Sequence, residues 1–460
     1  MKMVKSLLLG TAAGLVAMSG AQAADLPVKA KPVQYVKICS LYGAGFYYIP
    51  GTDTCIKIGG FVRSEMNFNS GGSFSVLRGN LDDPARNDLT WRSRAVVTFD
   101  VRSQTEYGTL RSYMAGGYQW DNGAGSGVNS ATAGTGTLNN SLNIYRGFIQ
   151  WAGFTAGRSK SFFDVFDTPV YSNTTNVWSS DTGGTGINLL GYTAQFGNGF
   201  SATISLEDGA HRRISGGGAI ISPTGGIANS AYAGVSWPDA VANLRLDQAW
   251  GSAQIMGALH YVEGLSPPGA VTGSNDEIGW AIGAGLHLNL PFLGARDSFT
   301  AQVTYAEGAM HYVGSGVGAG VVMAEGFPVP SSVAQTPAFD AVMFANGALS
   351  LTTGWSLAAG IQHYWTPTLR TSLYGFYGEF DYSAGASALI PAAACLTFNC
   401  DWSMWQIGSR TVWNPVTNLD LSVDILYNRV NGVTGGGGPG VDTDIGWLQG
   451  MVRAQRNFYP

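Results

Sequence analysis

The stretch that decides the fold is Leu89–Trp120, which reads LTWRSRAVVTFDVRSQTEYGTLRSYMAGGYQW. Within Trp91–Val101, every second position suits an apolar surface, and the positions between are mostly polar or charged. A period of two predicts a β-strand with an apolar face and a second face that carries Arg92 and Arg94. A short turn then leads into another strand, which carries Arg111. The stretch is therefore predicted to form a β-hairpin.

The same alternation recurs along the chain in sixteen segments, each of about ten residues, the length of a tilted membrane-crossing strand. The connections alternate strictly between tight turns and long polar stretches. The tight turns lie near 105, 152, 198, 251, 293, 366 and 415. The long stretches lie near 69–89, 121–141, 160–187, 208–239, 263–276, 307–348, 382–401 and 430–444.

This rhythm predicts an all-β fold, a closed, sixteen-stranded antiparallel transmembrane β-barrel with short periplasmic turns and long extracellular loops. In such a barrel the apolar strand faces contact lipid and the arginine faces line a water-filled interior. A large secreted β-sandwich or β-helix is the alternative. A sandwich would show connections of mixed length and a β-helix a repeat of fixed period, and the sequence shows neither. Aromatic residues at several strand ends are consistent with girdles at the two membrane interfaces.

Composition agrees with a β-rich chain, since charged residues make up only 12% of the 460 residues and 65 residues are Gly. Residues 1–23 are predicted to be a signal peptide, with Lys2 and Lys5 before an apolar run and an A-x-A site at its end. Its removal changes the formal net charge from −5 to −7. An N-terminal periplasmic segment, 24–54, should follow, and then a transmembrane barrel domain, 55–460. No later run is long enough for a transmembrane helix.

The four cysteines form two sequence-local pairs, Cys39 with Cys55 and Cys395 with Cys400. In an exported chain an even number of cysteines predicts disulfides. A zinc site is the competing interpretation, but the spacings do not suit zinc and no histidine lies near in sequence. We expect no metal, no cofactor and no catalytic residues.

A sixteen-stranded barrel is wide enough to hold an aqueous channel, so a constriction should decide what passes. The long stretch 160–187 is the candidate, with Phe162, Phe163 and Phe166 anchoring it to the wall. Its carboxylates, predicted to face the lumen, are Asp164, Asp167 and Asp181. The arginines predicted opposite them are Arg63, Arg92, Arg94, Arg111, Arg146 and Arg158.

Two simpler interpretations compete with this charged constriction. In the first, individual arginines pair with Glu65 or Asp100 and serve only to stabilise the barrel wall. In the second, the stretch 160–187 is a solvated surface loop. Arg102 lies close to a short turn, which would place it at the periplasmic mouth. The net charge of −7 predicts weak ion selectivity that slightly favours cations.

Four stretches carry a family resemblance: ADLPVKA (24–30), CSLYGAGFYYIPGTDTCIKIGGFVR (39–63), RGFIQWAGFTAGRSKSFFD (146–164) and VRAQRNFYP (452–460). They resemble the alphaproteobacterial outer-membrane general porins of the rhizobial and Brucella type. The resemblance implies a homotrimer of sixteen-stranded barrels, each with a third loop folded inward. It also implies passive diffusion of small hydrophilic solutes and ions, in contact with outer-membrane lipid and lipopolysaccharide and not with nucleic acid.

Two other functions compete with a diffusion channel. A barrel phospholipase or protease needs a nucleophile with its base, and the sequence has no HExxH or GxSxG motif and only scattered histidines. An adhesin or structural barrel would have a plugged lumen, and the stretch 307–348 is long enough to cover the mouth.

Overall fold

The computed structural model describes residues 37–68, 89–121, 139–165, 170–173, 177, 179–180, 182, 186–213, 220–221, 232–265, 275–314, 320–322, 334–336, 339–344, 346–389, 400–432 and 445–458. Sixteen antiparallel strands form one closed sheet. They are β1 Cys55–Phe68, β2 Leu89–Thr105, β3 Gly108–Asp121, β4 Asn139–Trp151, β5 Phe154–Ser159, β6 Ile187–Gly197, β7 Phe200–Glu207, β8 Asp239–Gln248, β9 Gly251–Glu263, β10 Asp276–Asn289, β11 Ser298–Glu307, β12 Thr353–Thr366, β13 Leu369–Asp381, β14 Trp402–Trp413, β15 Leu419–Asn431 and β16 Ile445–Asn457.

The barrel closes where the last strand meets the first. Strand β16 pairs with β1 from Asn457 opposite Phe61 to Gly450 opposite Phe68. One residue further on, the Phe458 amide donates a hydrogen bond of 3.0 Å to the Gly60 carbonyl. A sheet that closes in this way presents no open edge to lipid. The predicted strand number and closure are confirmed.

The two faces of each strand are arranged as the alternation predicted. In β2, Trp91 is 44% exposed and Val97 38% exposed, whereas Arg92 is only 8% exposed. Most outward side chains of the other strands are likewise apolar and exposed, as Ile149, Ile204 and Ile282 illustrate. A continuous apolar outer surface suits a lipid environment, and it leaves the polar faces to line the interior.

Aromatic pairs mark both ends of the outer surface. Those near the tight turns are Phe154 with Tyr192 and Phe196 with Phe200. Those near the long connections are Trp280 with Tyr305, Trp355 with Tyr377 and Trp405 with Tyr427. Two aromatic belts separated by an apolar band match the girdles of outer-membrane barrels.

The N-terminal segment and the long connections contain short elements of their own. The additional strands are Tyr47–Tyr48, Ile220–Ile221, Gly320–Val322, Ala334–Thr336, Ala341–Met343 and Leu349–Leu351. The helices are Ser40–Tyr42, Gly209–Arg212, Met310–Tyr312 and Ala384–Ser387. Within the ranges given above, no helix is long and apolar enough to cross a membrane.

A disulfide joins Cys39 to Cys55 and closes a small lobe at the turn end of the barrel. The lobe packs Tyr42 against Phe46, and the Arg102 guanidinium lies 4.9 Å from the centre of the Phe46 ring. The predicted Cys39–Cys55 bond is confirmed. Cys400 is also disulfide-bonded, while Cys395 and the predicted signal peptide lie outside the described residues.

Replacing both Cys39 and Cys55 with serine should loosen this lobe and leave the barrel closed. A disulfide across a loop of this length contributes about 3 kcal/mol, and the lobe has few other buried side chains. Limited proteolysis with mass spectrometry should detect faster cleavage between residues 40 and 54. Equal cleavage rates in the variant and the unchanged protein would show that the lobe does not depend on the bond.

A constriction inside the barrel

The described part of the connection between β5 and β6 enters the barrel and follows its inner wall. At its start, the Ser161 hydroxyl and the Phe162 amide both donate to the Glu207 carboxylate of β7, at 2.6 and 2.9 Å. The Phe162 carbonyl accepts a 2.6 Å hydrogen bond from the Asn243 side chain of β8. Phe163 is fully buried and meets the ring of Tyr312 edge-on. These contacts fix the first turn of the connection to the wall.

Asp164 is held in a buried ion pair. Its carboxylate lies 3.0 Å from the Arg212 guanidinium, and both side chains are almost completely buried. The other carboxylate oxygen accepts from the amide and the hydroxyl of Thr182, at 2.7 and 2.6 Å. Burial alone would lower the pKa of Arg212, but the adjacent Asp164 carboxylate reverses this and raises that pKa above its ordinary value.

The prediction that Asp164 faces the lumen is therefore wrong. A carboxylate that is neutralised and satisfied on both oxygens holds the connection together and contributes little field to a pore. The other two predicted acids, Asp167 and Asp181, lie outside the described residues, as does Phe166.

The middle of the connection reaches the far side of the barrel. The Tyr171 hydroxyl is 2.6 Å from that of Ser298 on β11. The Ser172 hydroxyl and the Asn173 amide donate to the Asp424 carboxylate of β15, at 3.0 and 2.6 Å. Asp424 points inward, because its strand neighbours Val423 and Ile425 are the exposed ones. The segment Val170–Asn173 thus lies inside the barrel, and its partners on β11 and β15 are each six strands away from β5, where the connection starts.

Asn173 joins this segment to two arginines of the opposite wall. Its side-chain oxygen accepts from Arg410 of β14 at 3.4 Å and from Arg453 of β16 at 2.9 Å. Its backbone carbonyl also accepts from Arg453. The Asn173 side-chain nitrogen donates to Ser422 at 2.7 Å. A single asparagine therefore connects the constricting segment to three neighbouring strands.

The described wall beside this segment is rich in arginine. Arg63 of β1 lies directly opposite Arg94 of β2 in the strand register. The Glu65 carboxylate contacts Arg453 at 2.5 Å and Arg63 at 3.4 Å. We call the four residues Arg63, Arg94, Arg410 and Arg453 the arginine wall.

Arg92 and Arg146 also face the interior. Arg92 pairs in register with Glu65 and is largely buried. At Arg146 a register shift against β3 turns two successive side chains of β4 inward, those of Tyr145 and Arg146. The structure thus places Arg63, Arg92, Arg94 and Arg146 on the interior side.

Arg111 lies elsewhere. It is directly opposite Arg102 and shares the Asp100 carboxylate with it, at 3.0 and 2.7 Å. Arg102 is eight residues from Arg94 along β2, which is roughly 26 Å of extended strand. Arg111 therefore belongs to the turn end and not to the constriction. Its placement at the waist is wrong, because the hairpin register fixes it at the height of Arg102.

Arg158 is on the outer side of β5. It shares a strand face with Phe154 and Ala156, and its register partner Asn188 lies on the exposed face of β6. The prediction that Arg158 lines the pore is wrong, because strand alternation turns it away from the lumen.

Several important residues were not singled out from the sequence. Arg410 and Arg453 sit at inward positions of alternating strands, so the period-two pattern carried that signal. Asn173 and Arg212 lie in irregular connections, where no periodicity indicates a direction. The period-two pattern of β15 likewise indicated that the Asp424 carboxylate points inward.

A second connection, between β11 and β12, also packs inside the barrel. The Asp340 carboxylate accepts from the Met310 amide and the Tyr232 hydroxyl, each at 2.7 Å. The Tyr232 hydroxyl also lies 3.3 Å from His260, which contacts Asp239 at 2.8 Å. Burial raises the pKa of Asp340 to about 6. The described residues contain no group of side chains suited to holding a metal ion.

The packing of this connection should weaken as the pH rises through about 6. The Asp340 carboxyl has an ordinary pKa of 3.8, so its neutral form stabilises the packed state below that value, and the stabilisation is lost on deprotonation. The upward shift corresponds to roughly 3 kcal/mol. Hydrogen exchange of peptides covering 339–352 should be slower at pH 5 than at pH 7.5 after correction for intrinsic rates.

The Asp340→Asn variant is the matched control for this pH effect. It keeps the size of the side chain and removes its charge, so its corrected exchange should vary little with pH. A wild-type difference that persists in this variant would assign the effect to a group other than Asp340.

A closed sixteen-stranded barrel with an apolar exterior, two aromatic belts and an inward-folded connection defines an outer-membrane porin fold. The chain belongs to the porin family whose model is described as "Porin subfamily", which matches residues 25–444. It is located in the bacterial outer membrane as a multi-pass β-barrel.

Three comparisons illustrate the relationship. The chain is 36% identical over 215 residues to Porin Omp2a of Brucella ovis, covering 45% of this chain and 60% of that protein. It is 35% identical over 262 residues to Porin Omp2b of Brucella suis biovar 1 (strain 1330), covering 56% and 66%. The matched regions thus span about three fifths to two thirds of these relatives. The outer-membrane channel DcaP of Acinetobacter baumannii has the same fold, with a TM-score of 0.62, 17% identity and coverage of 89% and 99%.

Proposed function

We propose that the protein forms a water-filled channel for passive diffusion of small hydrophilic solutes and ions. The observation that carries this proposal is the path of the connection between β5 and β6. It runs from Glu207 to Asp424 across the interior, so it narrows the lumen without forming part of the wall. A polar interior with a built-in constriction is what size-limited diffusion requires.

The surroundings of the channel follow from the same proposal. The tight turns and the N-terminal segment 24–54 face the periplasm, and the long connections face the outside. The outer surface contacts lipid and lipopolysaccharide, and three copies assemble as a homotrimer. Family membership favours transport over catalysis, and no residue is assigned a catalytic role.

Swelling of liposomes that contain the purified protein tests the diffusion function. Uncharged sugars of increasing size should enter at rates that fall steeply with size, because the constriction admits only small solutes. Liposomes without the protein give the background rate. Equal entry of all sugars would show that the channel has no size-limiting constriction. No entry above background would show that the protein does not form an open channel.

A plugged barrel, as in an adhesin or structural barrel, is the second candidate, and one observation favours it. Phe339, Val342 and Met343 in the connection between β11 and β12 have no exposed surface, so this connection also occupies interior space. A plugged barrel should give no swelling with even the smallest sugar, although it folds and resists denaturation by detergent.

A further inference from the structure

The arginine wall has a local excess of positive charge. Arg63, Arg94 and Arg453 all interact electrostatically with the Glu65 carboxylate, as does the neighbouring Arg92. A second described carboxylate, that of Asp424, interacts with both Arg453 and Arg410. Otherwise, the described hydrogen-bond partners are neutral: Gln455 for Arg63, Gln119 for Arg94 and Asn173 for Arg453. Among the described residues, this part of the wall therefore has more positive charge than it has carboxylates to neutralise it.

Arg63 and Arg94 form a like-charge pair across adjacent strands. Directly opposite side chains in an antiparallel sheet have Cβ atoms about 5 Å apart, and like charges in this position destabilise the sheet. A negatively charged group between the two guanidiniums would reverse that effect. Guanidiniums suit this task because their planar N–H groups match the oxygens of carboxylates and phosphates.

Both guanidiniums are also held in position. The Arg63 Nε donates to Gln455 at 2.6 Å, and this guanidinium lies 4.5 Å from the centre of the Phe61 ring. Arg94 donates to Gln119 at 2.7 Å and lies 5.3 Å from the centre of the Tyr145 ring. Side chains fixed before a ligand arrives lose less conformational entropy on binding, which favours a defined site.

We propose that Arg63 and Arg94 form a binding site for the oxyanion groups of permeating solutes, carboxylates and phosphates, and that the channel favours anions. This inference rests on the proposed diffusion function and adds the class of solute. It replaces the weak cation preference inferred from the net charge. Charges on distant surfaces are screened within about 8 Å at physiological salt, so the local arginine excess outweighs the net charge of the chain.

The zero-current potential across a planar bilayer with a KCl gradient tests the selectivity. The unchanged channel should prefer chloride, and the Arg63→Gln/Arg94→Gln variant should shift towards potassium. The matched control is Arg245→Gln, because Arg245 is already paired with Asp247 at 2.8 Å and its loss should change the potential far less. Heat-modifiable migration in gels shows that each variant is folded.

Inorganic phosphate tests the site itself. Phosphate should reduce the chloride current of the unchanged channel, and the concentration for half block should rise at least about tenfold in the double variant. A cation preference in the unchanged channel, or equal block in both channels, would overturn the inference. Block that appears only after Asp167→Asn/Asp181→Asn would also overturn it, since the arginines would then be neutralised by the chain itself. A channel that conducts in any of these cases leaves the diffusion function standing.

Discussion

Replacing Arg212 with methionine should widen the channel. The substitution leaves the Asp164 carboxylate buried without its cation, which typically costs about 3–5 kcal/mol. Asp164 avoids that cost by reaching water, and this movement would pull the start of the constricting connection away from the wall. We expect higher single-channel conductance and entry of larger sugars into liposomes, with the barrel itself still folded.

Two controls separate this effect from a general loss of stability. Arg245→Met removes an arginine whose partner Asp247 is more than half exposed, and it should leave conductance and sugar size limits nearly unchanged. The double variant Asp164→Leu/Arg212→Met replaces both charges with apolar side chains, which often costs little. It should recover most of the original size limit. An Arg212→Met channel with unchanged conductance would contradict the role assigned to the ion pair.

The Gly60→Ala variant should fail to close the barrel. A Cβ atom at position 60 would lie 2.1 Å from the Val96 carbonyl oxygen and 2.5 Å from the Phe458 ring. The backbone φ of +150° at this glycine is also unfavourable for alanine. Overpacking and backbone strain each cost roughly 1–3 kcal/mol, and both act on β1, between the neighbouring strand β2 and Phe458 at the end of β16. Most of the protein should therefore migrate as unfolded chain in unheated gel samples.

Gly116→Ala is the matched control for this site. Its added Cβ would meet its nearest neighbour, the Asn143 carbonyl oxygen, at an ordinary 3.5 Å. This variant should assemble like the unchanged protein. Normal assembly of Gly60→Ala would show that β1 tolerates a wider spacing from β2 and Phe458 than the structure has.

The strand pattern could be predicted because alternation is a local property of the sequence. The exposed Trp91 and the interior Arg92 follow from the period of two alone. The prediction placed Arg158 in the pore, although the period of two, counted from the outward Phe154, puts the Arg158 side chain on the outer face. Arg111 was misplaced because its height depends on its pairing with Arg102, which requires the exact hairpin register.

The constriction was less predictable because it depends on contacts between distant, irregular segments. Asp164 has its direction set by Arg212, which is 48 residues away in the chain. Asn173 is positioned by Asp424, 251 residues away. Neither connection has a periodic pattern that indicates these partners. Without knowledge of its arginine partner, a buried acidic residue such as Asp164 cannot be distinguished in the sequence from one that lines the pore.

Single-channel recording in planar bilayers tests the central claim, that the barrel encloses a water-filled path narrowed by the connection between β5 and β6. The purified, detergent-folded protein should insert with large, steady conductance in three equal steps. The same recording with Arg212→Met should give larger steps. Well-folded trimers that insert and carry no current would contradict the claim.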